Sequence, residues 1–397
     1  MDCDILISGG GIAGLTAAAA FGAAGFSVSC VDPAPPVTDR EASGADLRST
    51  AFLQPAQAFL EKAGLWARLE GHAIPLQVMR IVDAGGERPE PRVTRDFDAD
   101  DISEKPFGWN LPNWLLRREM AAHLHDMPTV DFRPGTATTT LFTREAYARV
   151  GLSDGSTVQT RLVIAADGRN SPMREAAGIG VKTTRFGQKA LAFAVTHPIP
   201  HGNVSTEIHR TGGPFTLVPL PDFDGKPSSA VVWMEEGPKA EALFRLDTPT
   251  LEAAMSERSC HLFGPLTLAS QRTLWPIIAQ HAETLCGERL ALVAEAAHVV
   301  PPIGAQGLNM SLNDMATLHD LATATPERLG DRQMLESYHR KRILDVRARV
   351  AGITLLNRTS MLSAPLLRDA RAKALDALYG VTPVRKTLMQ LGLGAKG

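Results

Sequence analysis

Uncharged, mostly apolar residues fill positions 5–31, a run long enough to cross a bilayer. Its texture argues against a span: six glycines interrupt it, and Asp2 and Asp4 precede it where a basic leader would stand. The pattern reads instead as strand, glycine turn, Ala-rich helix and second strand ending at Asp32. Another apolar run, LALVA at 290–294, has the form of a strand buried on both faces. Prolines at 301 and 302 and glycines at 304 and 307 forbid a regular element in the next stretch, and Leu308, Leu312, Met315 and Leu318 then recur at helical spacing over 308–321. Between 188 and 276 the period changes to two: ALAFAVTH, VSTEIH, FTLVPL and SAVVWMEE alternate between Pro/Gly turns and predict a mostly antiparallel sheet, with one helix expected at 241–263.

The remaining segments obey the same logic. Residues 48–64 predict a helix closed by a glycine, and 76–97 predict a hairpin around Gly85-Gly86. Residues 114–125 predict a helix with Arg117 and Arg118 near its start. From 146 a strand, the turn Ser153-Asp154-Gly155-Ser156 and a second strand lead to Asp167-Gly168. Beyond Asp331 the chain reads as helical: Ser363-Ala364-Pro365 opens one helix with Leu366, Ala370, Ala374 and Leu378 on one face, and Thr382-Pro383 opens another.

Composition narrows the class without changing these elements. With 397 residues, 44% hydrophobic and 21% charged, the chain has the make-up of a soluble globular protein of roughly two to three domains. Four cysteines form no C-x-x-C pair and no metal-ligand spacing, so no metal is expected and a reduced cytoplasmic compartment is. The net charge of −2 hides an asymmetry, since residues 338–397 hold twelve Lys/Arg against three Asp/Glu. No nucleic-acid motif accompanies that basic tail.

Candidate chemistry begins at Gly9-x-Gly11-x-x-Gly14, which comes after a predicted strand and opens a helix, the context a dinucleotide fingerprint requires. Gly9 permits the tight turn, Gly11 lets backbone approach a pyrophosphate, and Gly14 lets helix pack on strand. Asp32 would then accept from the ribose hydroxyls. The same regular expression at 392–397 has no helix to open and carries nothing. Asp167 and Glu295 each stand at the carboxyl end of a predicted strand, the edge at which open α/β sheets bind ligands. The helix near 308 would point free N–H groups at negative charge on a bound ring. Phe215, Leu217 and Trp233, at period two, either line an apolar substrate pocket or pack the core, and His298 is either a proton-handling group or a satisfied structural histidine. No catalytic residue is assigned.

Taken in order, GGGIAG, ADGRNSPMR and EAAHVVPPIGAQGLNMSLND resemble the flavin-dependent aromatic hydroxylases of the para-hydroxybenzoate hydroxylase superfamily, and the late stretch looks most like the ubiquinone-biosynthesis hydroxylases. The resemblance covers essentially the whole chain. It implies an α/β fold with a Rossmann-like FAD-binding domain in three parts (1–75, 101–187, 277–330), an inserted mostly antiparallel β-sheet substrate domain (hairpin 76–100 and 188–276) and basic C-terminal helices (331–397). It implies FAD, NAD(P)H as a transient electron donor, O2, and hydroxylation of a phenol through a flavin hydroperoxide. By the resemblance, Gly9, Gly11, Ile12, Ala13 and Gly14 form the pyrophosphate turn, Asp32 is the ribose acid, and Arg48 and Arg117 lie against the FAD. Asp167 and Gly168 match the paired Asp-Gly motif, Glu295 the acid on the ribityl hydroxyls, and Pro301, Gly304, Gln306, Gly307, Leu308 and Asn309 the loop against the isoalloxazine. Two departures stand out: the family's usual Gly-Asp is Ala294-Glu295, and Ser311 replaces a glycine.

The leading expectation is therefore hydroxylation of a polyprenyl phenol in ubiquinone synthesis, with the basic tail meeting an anionic inner-membrane surface or a lipid-presenting partner. Hydroxylation of a small soluble aromatic and a non-catalytic flavin-binding scaffold are the rival expectations.

Overall fold

Strand Cys3–Ser8 lies in the middle of the first sheet, flanked in parallel by Thr157–Ala165 on one side and Val28–Asp32 on the other, with Leu290–Leu292 and Val130–Pro134 extending it. In this computed structural model the described residues are 1–393 apart from 43, 47, 87, 362–368, 370–372 and 374–375. Ile5, Leu6 and Ile7 are fully buried, as a central strand covered on both faces requires. Helix Ile12–Ala23 is buried on every side from Ala13 to Gly22, which explains its alanines. A Cβ on Gly14 would sit 1.8 Å from the Gly9 carbonyl oxygen, so helix and turn are in backbone contact there. Cys3 and Cys30 are buried on the neighbouring strands Cys3–Ser8 and Val28–Asp32.

The second sheet has nine strands, all antiparallel except that Val204–His209 runs parallel to Val78–Asp83. Its strands Val181–Thr196, Val204–His209, Pro214–Phe223 and Lys226–Glu236 match the four alternating segments in the sequence. The hairpin Val78–Asp83 with Val93–Asp98 joins this sheet at one edge, while Thr273–Ala282 and His298–Val299 complete the other. One face packs on helices Gly237–Arg245 and Thr248–Arg258 through its own hydrophobic core. The other face looks onto the first sheet's strand ends.

Several elements differ from expectation. Residues 49–53 are a strand, not helix: Ser49–Leu53 pairs with Gly108–Pro112, and the helix starts only at Gln54. Long-range pairing of a half-apolar segment overrides its helical pattern here. The single helix expected at 241–263 is two, broken where the Asp247 carboxylate accepts from Thr250 N–H at 2.8 Å and starts a new helix with Pro249 in its first turn. Strand 290–294 stops at Leu292, because Ala294 turns the chain at φ 54. The helix expected from 308 begins at Gln306.

Helix Arg332–Ser360 comes next, and Thr382–Leu393 ends the described chain. That terminal helix buries Met389 in a cluster with Leu53 and Phe107, pairs Arg385 with Asp101 at 3.1 Å, and accepts from Gln306 Nε2 through the Gly392 carbonyl at 3.0 Å. The helix expected from Ser363-Ala364-Pro365 lies outside the described residues. Among the described residues no helix is long and apolar enough to cross a membrane.

Candidate active site

Parallel strands deliver three turns to one place. The carboxyl ends of Cys3–Ser8, Thr157–Ala165 and Leu290–Leu292 lead into Gly9–Gly11, Ala166–Gly168 and Ala294–Glu295, so neighbouring strands bring distant sequence side by side. A Cβ on Gly9 would come within 2.4 Å of the Ala166 carbonyl oxygen, and Arg174, itself buried, donates to the carbonyls of Ala296 and Arg169 at 3.0 Å each, tying the second turn to the third. These turns border a crevice of about 570 Å³ whose floor is the second sheet.

One side of this crevice is polar. Gly11 caps helix Ile12–Ala23 without any side-chain cap, and a Cβ placed on it would meet no atom within 4 Å, so the first N–H groups of that helix open onto empty space. Arg48, Arg117, Arg169 and Glu295 face the same space. Arg48 makes a bidentate pair with Asp46 at 2.7 and 2.8 Å and lies over the Trp275 ring at 5.4 Å. Burial works against ionising Asp46, but Arg48, Asn113 and Arg117 outweigh it and hold its carboxyl below the usual range. Arg117 keeps a buried Nε with no partner, and Arg169 Nε stands 3.5 Å from Glu295 Oε2. A helix start with free N–H groups beside three guanidiniums suits a diphosphate. The residues present fit the diphosphate of FAD.

The sequence candidates divide by position. Gly11, Ile12, Ala13, Arg48, Arg117, Gly168, Glu295, Gly304, Gln306, Gly307 and Leu308 line the crevice. Gly9 and Gly14 shape the turn from behind. Asp32 stands outside the crevice lining and accepts from Gly10 N–H at 2.6 Å and Ala34 N–H at 2.9 Å, leaving acceptor capacity on each oxygen. Burial pushes the Asp167 carboxyl up despite bonds from Ser171, Met173 and Ser8, and among the described residues its Oδ1 has no hydrogen-bond partner. Pro301 is buried, and its neighbour Pro302 lines the crevice instead. Asn309 is committed to backbone: it donates to Ala51 and Ala305 carbonyls at 2.7 Å and accepts from Leu53 N–H at 2.8 Å, clamping strand Ser49–Leu53 to the helix start.

Phe215, Leu217 and Trp233 do not line the crevice. They are buried at 0%, 1% and 3% exposure in the core beneath helices Gly237–Arg245 and Thr248–Arg258, with Phe215 and Trp233 rings 5.3 Å apart. Alternation puts the intervening residues Thr216, Val218 and Val232 on the crevice side. Period two announces two faces; the more apolar one turned to the helices.

His298 lines the crevice, and its Nε2 lies 2.6 Å from Asp314 Oδ2, both side chains fully buried. Asp314 Oδ1 accepts from Arg342 Nε at 2.7 Å, Arg342 also pairs with Asp345, and Arg349 joins Asp345 to Gln306 Oε1 at 2.8 Å. A chain of polar contacts thus runs from His298 through two helices, Gln306–Ala324 and Arg332–Ser360, and back to the start of the first. Among the described residues His298 Nδ1 has no hydrogen-bond partner. Sequence reading missed Asp314 and Arg342, which contribute from 16 and 28 residues' separation along the chain. It also missed Glu207 and the crevice-facing phase of the sheet, which carry no local motif.

The FAD binding domain family matches residues 2–352. Fold and crevice together thus define an FAD-dependent flavoprotein of the aromatic-hydroxylase class. The chain is 33% identical to ubiquinone hydroxylase UbiL of Rhodospirillum rubrum over 82% of its length and 73% of the relative. It is 25% identical to 3-demethoxyubiquinol 3-hydroxylase of Escherichia coli over 98% of each chain. The protein belongs to the ubiquinone-biosynthesis hydroxylase family. Among solved structures, p-nitrophenol 4-monooxygenase PnpA of Pseudomonas putida superposes with TM-score 0.80 at 18% identity, covering 99% of this chain and 98% of that one. The Diels-Alderase PyrE3 superposes at 0.75 and 20% identity, covering 100% and 81%. Those two likenesses show the fold, and the fold hosts more than one chemistry.

Proposed function

We propose that this protein hydroxylates the ring of a polyprenyl phenol in ubiquinone biosynthesis, with FAD as cofactor, NAD(P)H as transient electron donor and O2 as oxidant. One observation carries the reading: a single crevice joins a cation-flanked helix start, suited to a diphosphate, to a mostly apolar sheet floor suited to an aromatic ring. Bound FAD supplies the two-electron reservoir and oxygen activation that no side chain provides.

The protein's own residues would bind, orient and exclude water. Gly11, Ile12 and Ala13 offer N–H groups to the diphosphate, Arg48 and Arg117 neutralise it, Asp32 accepts from the ribose, and Asp167 and Gly168 set the adjoining turn. Glu295 accepts from the ribityl hydroxyls. The loop from Pro301 to Ala305 ends at a helix start without a side-chain cap, whose dipole favours negative charge on a ring beside it. Val218, Val232 and Ala192 on the floor keep water from the reacting face.

Substrate insolubility puts this enzyme in the cytoplasm at the face of the inner membrane. Leu344, Leu355, Leu388 and Leu391, exposed on the two C-terminal helices within the basic region, support a lipid-facing surface. Mass-spectrometric profiling of quinone intermediates in a deletion strain tests the function: a prenylated phenol one hydroxyl short should accumulate and disappear on complementation. An unchanged profile refutes it.

A further inference from the structure

The crevice floor is apolar except at one spot. Strand Val204–His209 presents Ser205 and Glu207 to the crevice, and Thr216 stands directly across from Glu207 on the next strand. Glu207 differs from the other acids there. Asp46 and Glu295 sit beside guanidiniums, whereas the only basic side chain within 4 Å of the Glu207 carboxylate among the described residues is His209, whose Nε2 lies 2.7 Å from Glu207 Oε1. Both side chains are 16% exposed, so the pair is largely withdrawn from water, and His209 is not itself part of the lining.

A carboxylate held at the edge of a mostly apolar cavity, with no Lys or Arg ion-paired to it among the described residues, has acceptor capacity to spare on Oε2. A ring hydroxyl satisfies it: the O–H donates to the free carboxylate oxygen in a charge-assisted bond. A ring carboxylate does the opposite, bringing a second negative charge to a site of low polarity. A ring ether fits without repulsion but leaves the second Glu207 oxygen without a donor. We propose that Glu207, oriented by His209, reads the substrate ring, accepting from a phenolic hydroxyl and excluding aromatic acids. This rests on the crevice taking an aromatic ring, as proposed above, and adds which ring substituent it selects. His209 acts as a positioning residue, since it touches Glu207 and not the ring.

The test uses FAD-loaded protein and the perturbation of the flavin absorbance on titration with phenol, anisole and benzoate. Phenol should bind at least tenfold tighter than anisole, with no measurable benzoate binding. Glu207→Gln keeps the shape and the contact to His209 while removing the charge; it should bring phenol and anisole to within about threefold and admit benzoate. His209→Gln should weaken phenol less than Glu207→Gln does and leave benzoate excluded. Equal affinities for phenol and anisole in the unaltered protein, no phenol binding, or discrimination that survives Glu207→Gln, overturns the assignment. NAD(P)H-dependent hydroxylation of a prenylated phenol is followed on the same preparations. Turnover without discrimination defeats the Glu207 assignment alone, and discrimination without turnover supports it and defeats the hydroxylase reading.

Discussion

Ala294 holds φ 54 at the end of a fully buried strand, a conformation that L residues other than Asn and Asp adopt at a cost of about 1–2 kcal/mol. The resemblance puts glycine at this position, and the left-handed turn is the reason. Ala294→Gly should therefore raise stability by about 1 kcal/mol net of the glycine's greater unfolded-state entropy, seen as a higher denaturation midpoint at unchanged m-value. A lower midpoint would show that the alanine methyl packs better than the turn is strained. Asp46 offers a pH test. Its folded pKa lies below the ordinary value, so its ion pair stabilises the protein above the unfolded-state pKa of about 3.9 and loses that contribution as pH falls through the lower folded value. Urea unfolding of the unaltered chain and of Asp46→Asn should accordingly differ at pH 7 and converge towards pH 3; a gap that widens on acidification contradicts the assignment.

Among elements, the helix from Gln306 to Ala324 has the most to coordinate, because Asn309 ties its start to strand Ser49–Leu53 and Asp314 ties its middle to His298 and to Arg342 of the long helix. Replacing Asp314 by Asn leaves Arg342, 4% exposed, facing a neutral group, and should cost about 3–5 kcal/mol. Equilibrium unfolding measures it, and a loss under about 1 kcal/mol would mean that Asp345 alone holds Arg342. Such ties mark the boundary of what the sequence could disclose. The glycine turn, the Asp-Gly turn and the Pro/Gly loop were legible because each is a local pattern with a local cause, and their convergence came from parallel strands ending together. Strand Ser49–Leu53 was not legible, since only its pairing with Gly108–Pro112 makes it a strand. The phase of the sheet was not legible either: Phe215 and Thr216 alternate equally well whichever of them meets the crevice, and only the helices packed behind Phe215 decide. The His298–Asp314–Arg342 relay and Glu207 belong to no motif and emerge only when the segments meet.

The whole molecule is electrically divided, its last sixty residues carrying twelve Lys/Arg against three Asp/Glu while the body is acidic. Each basic residue near an anionic surface contributes roughly 1 kcal/mol, so the protein should sediment with anionic liposomes at low salt, release at high salt and ignore neutral ones. Equal, negligible binding throughout removes the lipid surface from the proposal. The terminal helix also has a place in time. A ribosome delivers the chain amino end first, so the Gly11 cradle and the loop at Gln306 exist before Met389 and Gly392 do, and Met389 joins the cluster with Leu53 and Phe107 after both of them. Leu53, Phe107 and Gln306 line the crevice, so the terminal helix braces that wall only once it has been made. Apoprotein ending at residue 380 should take up FAD faster than the full chain, as read by quenching of flavin fluorescence, and identical uptake would show that the last helix is no barrier. If the difference is found, the moment of cofactor loading is written into the order of translation, and a full-length chain made without flavin becomes a slow acceptor of it afterwards.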